Sequence, residues 1–202
     1  MSATNKTVEQ QKQREPDGRH LRTERSRQAF IDEALALVRA GVLEPTAQQV
    51  AERTGVGVRT FFRHFADMEA LFAAADKHIR QQSEARFLGG DREGSPEERI
   101  VHVIERRANA YEIEKYSALS VAALSWRYDT LRKNYARYQH GLRIDLDDWL
   151  PELKKLPRSR REALDAATSF EMWHRLRVHQ GVGKAAAIEI LIDMVTDLMP
   201  VQ

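Results

Sequence analysis

At 202 residues the chain is long enough for one sizeable core or two small ones. It has no cysteine, which excludes a disulfide framework and thiolate metal sites. It also has no run of about 18 apolar residues to span a membrane and no apolar stretch of a signal peptide at its N-terminus, so the expected location is the cytoplasm. The formal net charge of +2 names no partner by itself, but the whole excess falls within residues 1–82. There Lys12, Arg14, Arg19, Arg22, Arg25 and Arg27 gather against Glu15, Asp17 and Glu24.

Taken in chain order, residues 1–20 read as a flexible basic arm. A first helix is predicted from about Thr23 to Ala40, with Phe30, Ile31, Ala34, Leu35, Leu37 and Val38 at helical spacing and Gly41 as its stop. Next, Thr46 and Gln49 form a capping box that opens a short helix with Val50 and Ala51 on its apolar side. Gly55 can take the left-handed conformation that ends it, and Val56 can plug the angle to the next element. A second short helix is expected from about Val58 to His64, with Phe61 and Phe65 inward and Val58, Arg59, Thr60 and Arg63 outward. A helix, a tight turn, and a helix whose N-terminal side chains are free to read bases make the helix-turn-helix layout. A basic segment just ahead of it is placed to meet phosphates or a minor groove, which makes Arg22 and Arg25 candidate contacts. Asp67 then caps a fourth helix with Leu71, Phe72, Ala75 and Ile79 as its stripe.

The rest of the chain also reads as helix, with no strand pattern and no internal repeat. Gly89 to Gly94 is a break, and Ser95-Pro96-Glu97-Glu98 combines a capping box with proline at the first helical position. The helix it opens carries Ile100, Ile104, Ala108 and Tyr111, and a separate shorter helix is expected near Ala118–Leu124. A long helix from about Tyr128 follows, ended or kinked by Pro151. Ser159 and Glu162 suggest another capping box, opening a helix that runs to about Gln180. The last helix is closed by Pro200 and is apolar on several sides. Ile188, Leu191, Val195 and Leu198 form one stripe, and Ile190, Ile192 and Met194 widen it. A helix apolar on several flanks has to be covered on several flanks, which points to a second copy across a two-fold axis.

The spaced set Thr46, Val50, Ala51, Thr54, Gly55, Val56, Thr60, Phe61, Phe62, His64, Phe65, Glu69 and Leu71 resembles the DNA-binding domain of the TetR family of bacterial transcriptional regulators. The resemblance implies an all-α protein with an N-terminal three-helix DNA-binding domain (residues 21–66) and a C-terminal helical effector-binding and dimerisation domain (67–202). It implies a homodimer, double-stranded operator DNA as partner, and a small-molecule effector that releases a repressor from its operator. The implied DNA contacts are Arg22, Arg25, Thr46, Val58, Arg59, Thr60, Phe62, Arg63 and His64. Three positions depart from the family pattern. Gly57 stands where a serine often caps the recognition helix, Phe62 where a tyrosine hydroxyl usually meets a phosphate, and Met68 where a lysine approaches the backbone.

Ligand sites are mostly apolar with few polar anchors, which nominates Phe87, Tyr111, Tyr116, Trp126, Tyr135, Trp173 and His174 as cavity walls. Enzyme signatures are missing: there is no phosphate loop, no cysteine nucleophile and no His-Glu-x-x-His. Glu171 and His174 have the i, i+3 spacing of a di-iron helix bundle, but that site needs the motif twice and two more inward glutamates. No metal, no cofactor and no enzymatic activity are therefore expected. Two other readings are a helix-turn-helix DNA binder with no small-molecule ligand and a helical enzyme carrying a vestigial DNA-binding domain.

Overall fold

Two large apolar clusters and a small third one of Phe72, Leu124 and Leu131 organise the molecule, and every regular element among the described residues is helical. This computed structural model describes residues 18–199. Residues 1–17 of the expected arm, including Lys12 and Arg14, and the closing Pro200 lie outside them. Helix α1 (Gly18–Arg39) begins ahead of the expected Thr23, so Arg22 joins Arg25 on the helix. Leu21, Arg22, Glu24 and Arg25 are good helix formers, and no Gly or Pro interrupts the run after Gly18.

The smaller of the two large clusters joins α1, α2 (Ala47–Arg53), α3 (Val58–His64) and the first turns of α4 (Met68–Phe87). Phe30, Val50, Ala51, Phe61, Phe65 and Leu71 are its buried centre. Phe30 meets Phe61 edge-on at 5.5 Å and Phe65 edge-on at 6.2 Å, an arrangement that suits the charge distribution of aromatic rings. Gly55 makes the turn between α2 and α3 with φ +72°, a conformation costly for any residue with a Cβ. Val56 does not plug that angle; it is exposed at the turn.

The larger cluster is built by α5 (Pro96–Leu124), α6 (Asp129–Trp149), a 3₁₀ turn (Pro151–Lys155), α7 (Arg158–Ala167), α8 (Phe170–His174) and α9 (Lys184–Leu198), together with the C-terminal end of α4. Helix α5 is continuous, correcting the expected division near Ala118; no Gly or Pro follows Pro96 within it. The expected capping box at Ser159 does not form, because α7 already starts at Arg158 and Arg143 takes both carboxylate oxygens of Glu162 at 2.9 Å. The long helix expected to reach Gln180 is interrupted after Ala167. The Thr168 hydroxyl donates to the Leu164 carbonyl at 3.0 Å, and the Ser169 hydroxyl accepts from the Met172 amide at 3.2 Å to begin α8. Neighbouring hydroxyl residues compete for backbone groups in this way and favour caps over helix interiors. After α8 the chain widens into one π-helical turn, Arg175–His179.

Helix α9 packs on α5 and α7, with Ala187, Leu191 and Val195 buried. Ile188, Ile190, Ile192, Met194 and Leu198 are only partly covered. Beneath the Gly89–Gly94 loop, Trp149 lies so close that a Cβ on Gly90 (φ +107°) would fall 2.8 Å from its ring. The larger core also encloses charge. Asp145 is paired with Arg92 at 2.8 Å, and the buried Arg107 donates to the Thr168 hydroxyl at 2.8 Å and to the Leu142 carbonyl. No helix among the described residues is long and apolar enough to cross a membrane.

Candidate nucleic-acid interface and adjoining cavity

The short-range signals of the helix-turn-helix are visible as geometry. The Thr46 hydroxyl accepts from the Gln49 amide at 3.3 Å, and the Gln49 side chain accepts from the Thr46 amide at 2.9 Å. At the far side of α3, the Phe65 amide closes the helix on the Phe61 carbonyl. Gly57, the N-cap of α3, offers no side-chain bond; its carbonyl takes the Thr60 amide at 2.8 Å, which leaves the Val58 and Arg59 amides for water or a phosphate.

Among the nominated DNA contacts, Arg59, Phe62 and Arg63 are exposed on α3, and Thr60 and His64 are half-buried. Val58 is half-buried against the smaller core, so only part of it faces outward. Phe62 is 53% exposed and rests edge-on against Phe61 at 5.2 Å, an apolar ring held at the surface of the recognition helix. Arg22 and Arg25 are exposed on α1. The Thr46 hydroxyl proton is already donated to Gln49 at 3.1 Å, so a phosphate there would have to replace that bond. Burial, followed by the neighbouring Arg63 and Arg27 charges, lowers the His64 pKa below the ordinary value of 6.5, which leaves the ring neutral at pH 7.

Arg27 emerges with a different task from the one its place in a basic run suggested. Its guanidinium lies 4.2 Å from the Phe65 ring centroid and donates to the His64 carbonyl at 2.8 Å. A cation there satisfies the end of α3 and complements its negative pole. The sequence signal was the i, i+3 spacing from Arg27 to Phe30, which puts both on one face of α1. Arg53 and Glu33, paired at 2.8 Å, tie α2 to α1 in the same manner.

Between α4, α5 and α6 lies a cavity of about 350 Å³, within the size range of small-molecule sites. Phe87, Tyr111, Tyr135, Tyr138 and Phe170 contribute aromatic walls. The Tyr111 hydroxyl donates to the Thr168 carbonyl at 2.8 Å, and burial pushes its pKa up to about 12. Burial also raises the Tyr135 and Tyr138 hydroxyls well above the usual range, helped by Glu171 at the first and Glu114 at the second. At one side Asp76 receives Arg80 and Asn134, both at 2.9 Å. At another, Glu114 receives Arg86 and, at 3.2 Å, the Ser83 hydroxyl.

Of the nominated walls, Phe87, Tyr111 and Tyr135 line this cavity. The other four lie off it. Tyr116 reaches the boundary with the smaller core, its ring 3.7 Å from where a Gly41 Cβ would sit. Trp126 is 81% exposed in the turn between α5 and α6. Trp173 is packed into the larger core, and His174 stacks on Phe170 at 5.5 Å, behind the wall that Phe170 presents. The sequence reading missed Glu114, Tyr138 and Phe170. The i, i+4 pair Asp76–Arg80 was a legible hint that this face of α4 is polar, but nothing local marked it as a wall.

The two regions share an element. Leu71 and Ala75 of α4 belong to the smaller core, whereas Asp76, Ile79, Ser83 and Phe87 of the same helix line the cavity. Further ties cross the boundary: the Thr130 amide at the start of α6 donates to Glu69 at 2.9 Å, and the Ser120 hydroxyl donates to the Leu43 carbonyl at 2.6 Å. Among the described residues, no group of three or more His, Cys, Asp or Glu side chains could hold a metal ion.

Residues 30–75 match the family of bacterial regulatory proteins called the tetR family. Among solved structures, a transcriptional regulator from Rhodococcus sp. Rha1 superposes with a TM-score of 0.64 at 18% identity, over 89% of this chain and 98% of the other. A chain designated a TetR-family transcriptional regulator from Rhodococcus sp. gives 0.59 at 18% identity, over 87% and 99%. A TetR transcriptional regulator from Rhodococcus sp. RHA1 gives 0.52 at 15% identity, over 89% and 97%. At these identities the likeness is one of fold. No curated protein matches the chain.

Proposed function

We propose that the chain, a TetR-family transcriptional regulator by its DNA-binding domain and its fold, is a repressor that works as a homodimer and is released from its operator by a small molecule. The observation that carries this reading is the double membership of α4, whose first turns sit in the helix-turn-helix core and whose later turns wall the cavity. A ligand that fits the cavity better in one position of α4 also biases the placement of α3. It can do so only as far as its affinity for the two positions differs. A cavity of about 350 Å³, in place of a filled core, supports the ligand-responsive form over a DNA binder with no effector.

In this reading residues 21–66 bind DNA and residues 67–202 bind effector and partner, with the protein acting in the cytoplasm as a non-enzymatic regulator. The half-covered side chains of α9, Ile188, Ile190, Ile192, Met194 and Leu198, are the proposed dimer surface. Leu191 and Val195 are fully used within one chain, so a charge at either would unfold the protomer before it tested the dimer. Arg59, exposed near the start of α3, is the proposed base reader. A guanidinium paired with O6 and N7 of a guanine is worth about 1–3 kcal/mol of discrimination.

The test is selection of bound sequences from random DNA, followed by affinities for Arg59→Ala on the selected site and on random DNA. Relaxed preference at one position per half-site, with random-DNA affinity nearly unchanged, is the expected result. An equal fall on both would make Arg59 a phosphate contact. Sedimentation at micromolar concentration should show twice the chain mass, and a monomer alone would remove the dimer from the proposal.

A further inference from the structure

The cavity has a chemical bias, and it is negative. Its charged lining residues are Asp76, Glu84 and Glu114 against Arg80 and Arg137, and no lysine is among them. Both arginines are committed to one carboxylate, since Arg80 reaches Asp76 at 2.9 Å and Arg137 reaches it at 3.6 Å. Glu114 is the opposite case. Its side chain is only 14% exposed, and both its partners, Arg86 and Ser83, bind the same oxygen, Oε1. Oxygen Oε2 makes no hydrogen bond to another described residue. Arg86 is 37% exposed and is not itself part of the lining, so it can leave for solvent while Glu114 stays.

Beside this carboxylate runs a continuous row of rings. Phe170 and Tyr111 are 5.7 Å apart, Tyr111 and Phe87 5.1 Å, and Phe87 and Tyr138 5.4 Å. Ring faces carry the negative part of the aromatic quadrupole and attract cations placed within about 6 Å. A buried carboxylate also requires a counter-charge, and a ligand can supply it as well as a protein side chain can. An organic anion would find both guanidiniums already facing Asp76, with only Nε of Arg80 left unpartnered. A neutral ligand would leave the Arg86 pair untouched and gain only apolar contact.

We propose that the cavity takes a compact organic cation, an aromatic or alkyl ammonium, with its charge between the Glu114 carboxylate and the Phe87 and Tyr138 rings. The inference rests on the ligand-responsive reading above and narrows it to one class of compound. Binding replaces the Arg86–Glu114 pair by a ligand–Glu114 pair, so the guanidinium of Arg86 is a competitor of the ligand.

Three probes of one shape and different charge test this in the full-length protein: benzyltrimethylammonium, its uncharged carbon isostere neopentylbenzene, and benzylsulfonate. Dissociation constants from saturation-transfer NMR should place the cation about tenfold or more below the neutral isostere, with the anion weakest. Glu114→Gln should abolish the preference for charge, and Arg86→Gln should strengthen cation binding, a gain that a merely damaged fold cannot produce. Equal binding of cation and isostere, tighter binding of the anion, weaker cation binding by Arg86→Gln, or no binding of any probe each overturns the inference. Operator affinity measured with each probe separates the two proposals. A bound cation that leaves DNA affinity unchanged sinks the effector reading and keeps the cation site. A neutral or anionic probe that binds best and releases DNA does the reverse.

Discussion

The two cores solve opposite problems. Around α3, four aromatic side chains, Phe30, Phe61, Phe65 and the half-exposed Phe62, interlock edge-on, and an arginine strap closes the end of the recognition helix. Around α5 the packing leaves about 350 Å³ unfilled and encloses charges whose hydrogen bonding is incomplete, with Asp145 Oδ2, Arg107 Nε and Trp149 Nε1 all unpartnered. A recognition helix has to meet a fixed groove, so close packing there holds its register. A domain that accepts a ligand needs space and polar groups that can change partners, and both lower its stability.

The largest effect that would test this contrast is removal of a ring from each core. Phe61→Ala should cost about 3–5 kcal/mol and abolish DNA binding, because the pocket left behind has rigid walls. Tyr138→Ala should cost about 1–2 kcal/mol less than that, since its ring already borders the open cavity and its hydroxyl makes no hydrogen bond to another described residue. Urea melts of the two variants check this, and similar losses would remove the distinction. Gly90→Ala comes next. Its Cβ would enter the Trp149 ring at a positive φ, so a loss on the order of 2 kcal/mol is expected. Gly55→Ala, with open space around it, should cost about 1 kcal/mol from backbone conformation alone. Thr46→Ala should cost about 1 kcal/mol by removing the α2 cap, with a matching rise in amide exchange confined to α2.

The smallest effect is one of pH. His64 is held below its ordinary pKa, so its folded form binds fewer protons than the unfolded chain. Its contribution to stability is therefore present above pH 6.5 and is lost as pH falls through the lowered folded value. A phosphate beside the ring acts in the opposite sense and raises the pKa in the complex. DNA affinity should then rise modestly from pH 7.5 to pH 6 while the free protein weakens. His64→Gln should flatten the affinity profile; an unchanged profile would place His64 away from the phosphates.

How much of this could be read in the sequence follows from the range of the forces involved. The helix-turn-helix was legible because its signals are local: a cap three residues from its partner, one glycine at the turn, and Phe61 and Phe65 one turn apart. The cavity was not, because it depends on the spacing of three helices. Glu114 looks like one of many surface carboxylates until Arg86 and Ser83 arrive from α4. The misplaced nominations share a cause. Aromatic type alone does not distinguish Trp126, left in solvent by the α5–α6 turn, from Trp173, sealed in the larger core. A break was overread near Ala118, where α5 runs on unbroken, and one was underread where Thr168 and Ser169 took backbone partners from the helix.

The division of α4 has a practical consequence for building biosensors by exchanging sensor modules between regulators. A fusion joined at residues 66 and 67, where the loop invites a cut, would give the transplanted recognition module a foreign first turn of α4 in place of Leu71 and Ala75, which complete its core. A junction between Ala75 and Asp76 keeps those two residues with the module they stabilise and leaves Asp76, Ile79 and Phe87 with the cavity they wall. Even so, the recognition module brings the Leu43 carbonyl, Glu69 and the Phe72 ring, and the other partner must offer them a hydroxyl like that of Ser120, a free backbone amide like that of Thr130 and apolar side chains like Leu124 and Leu131.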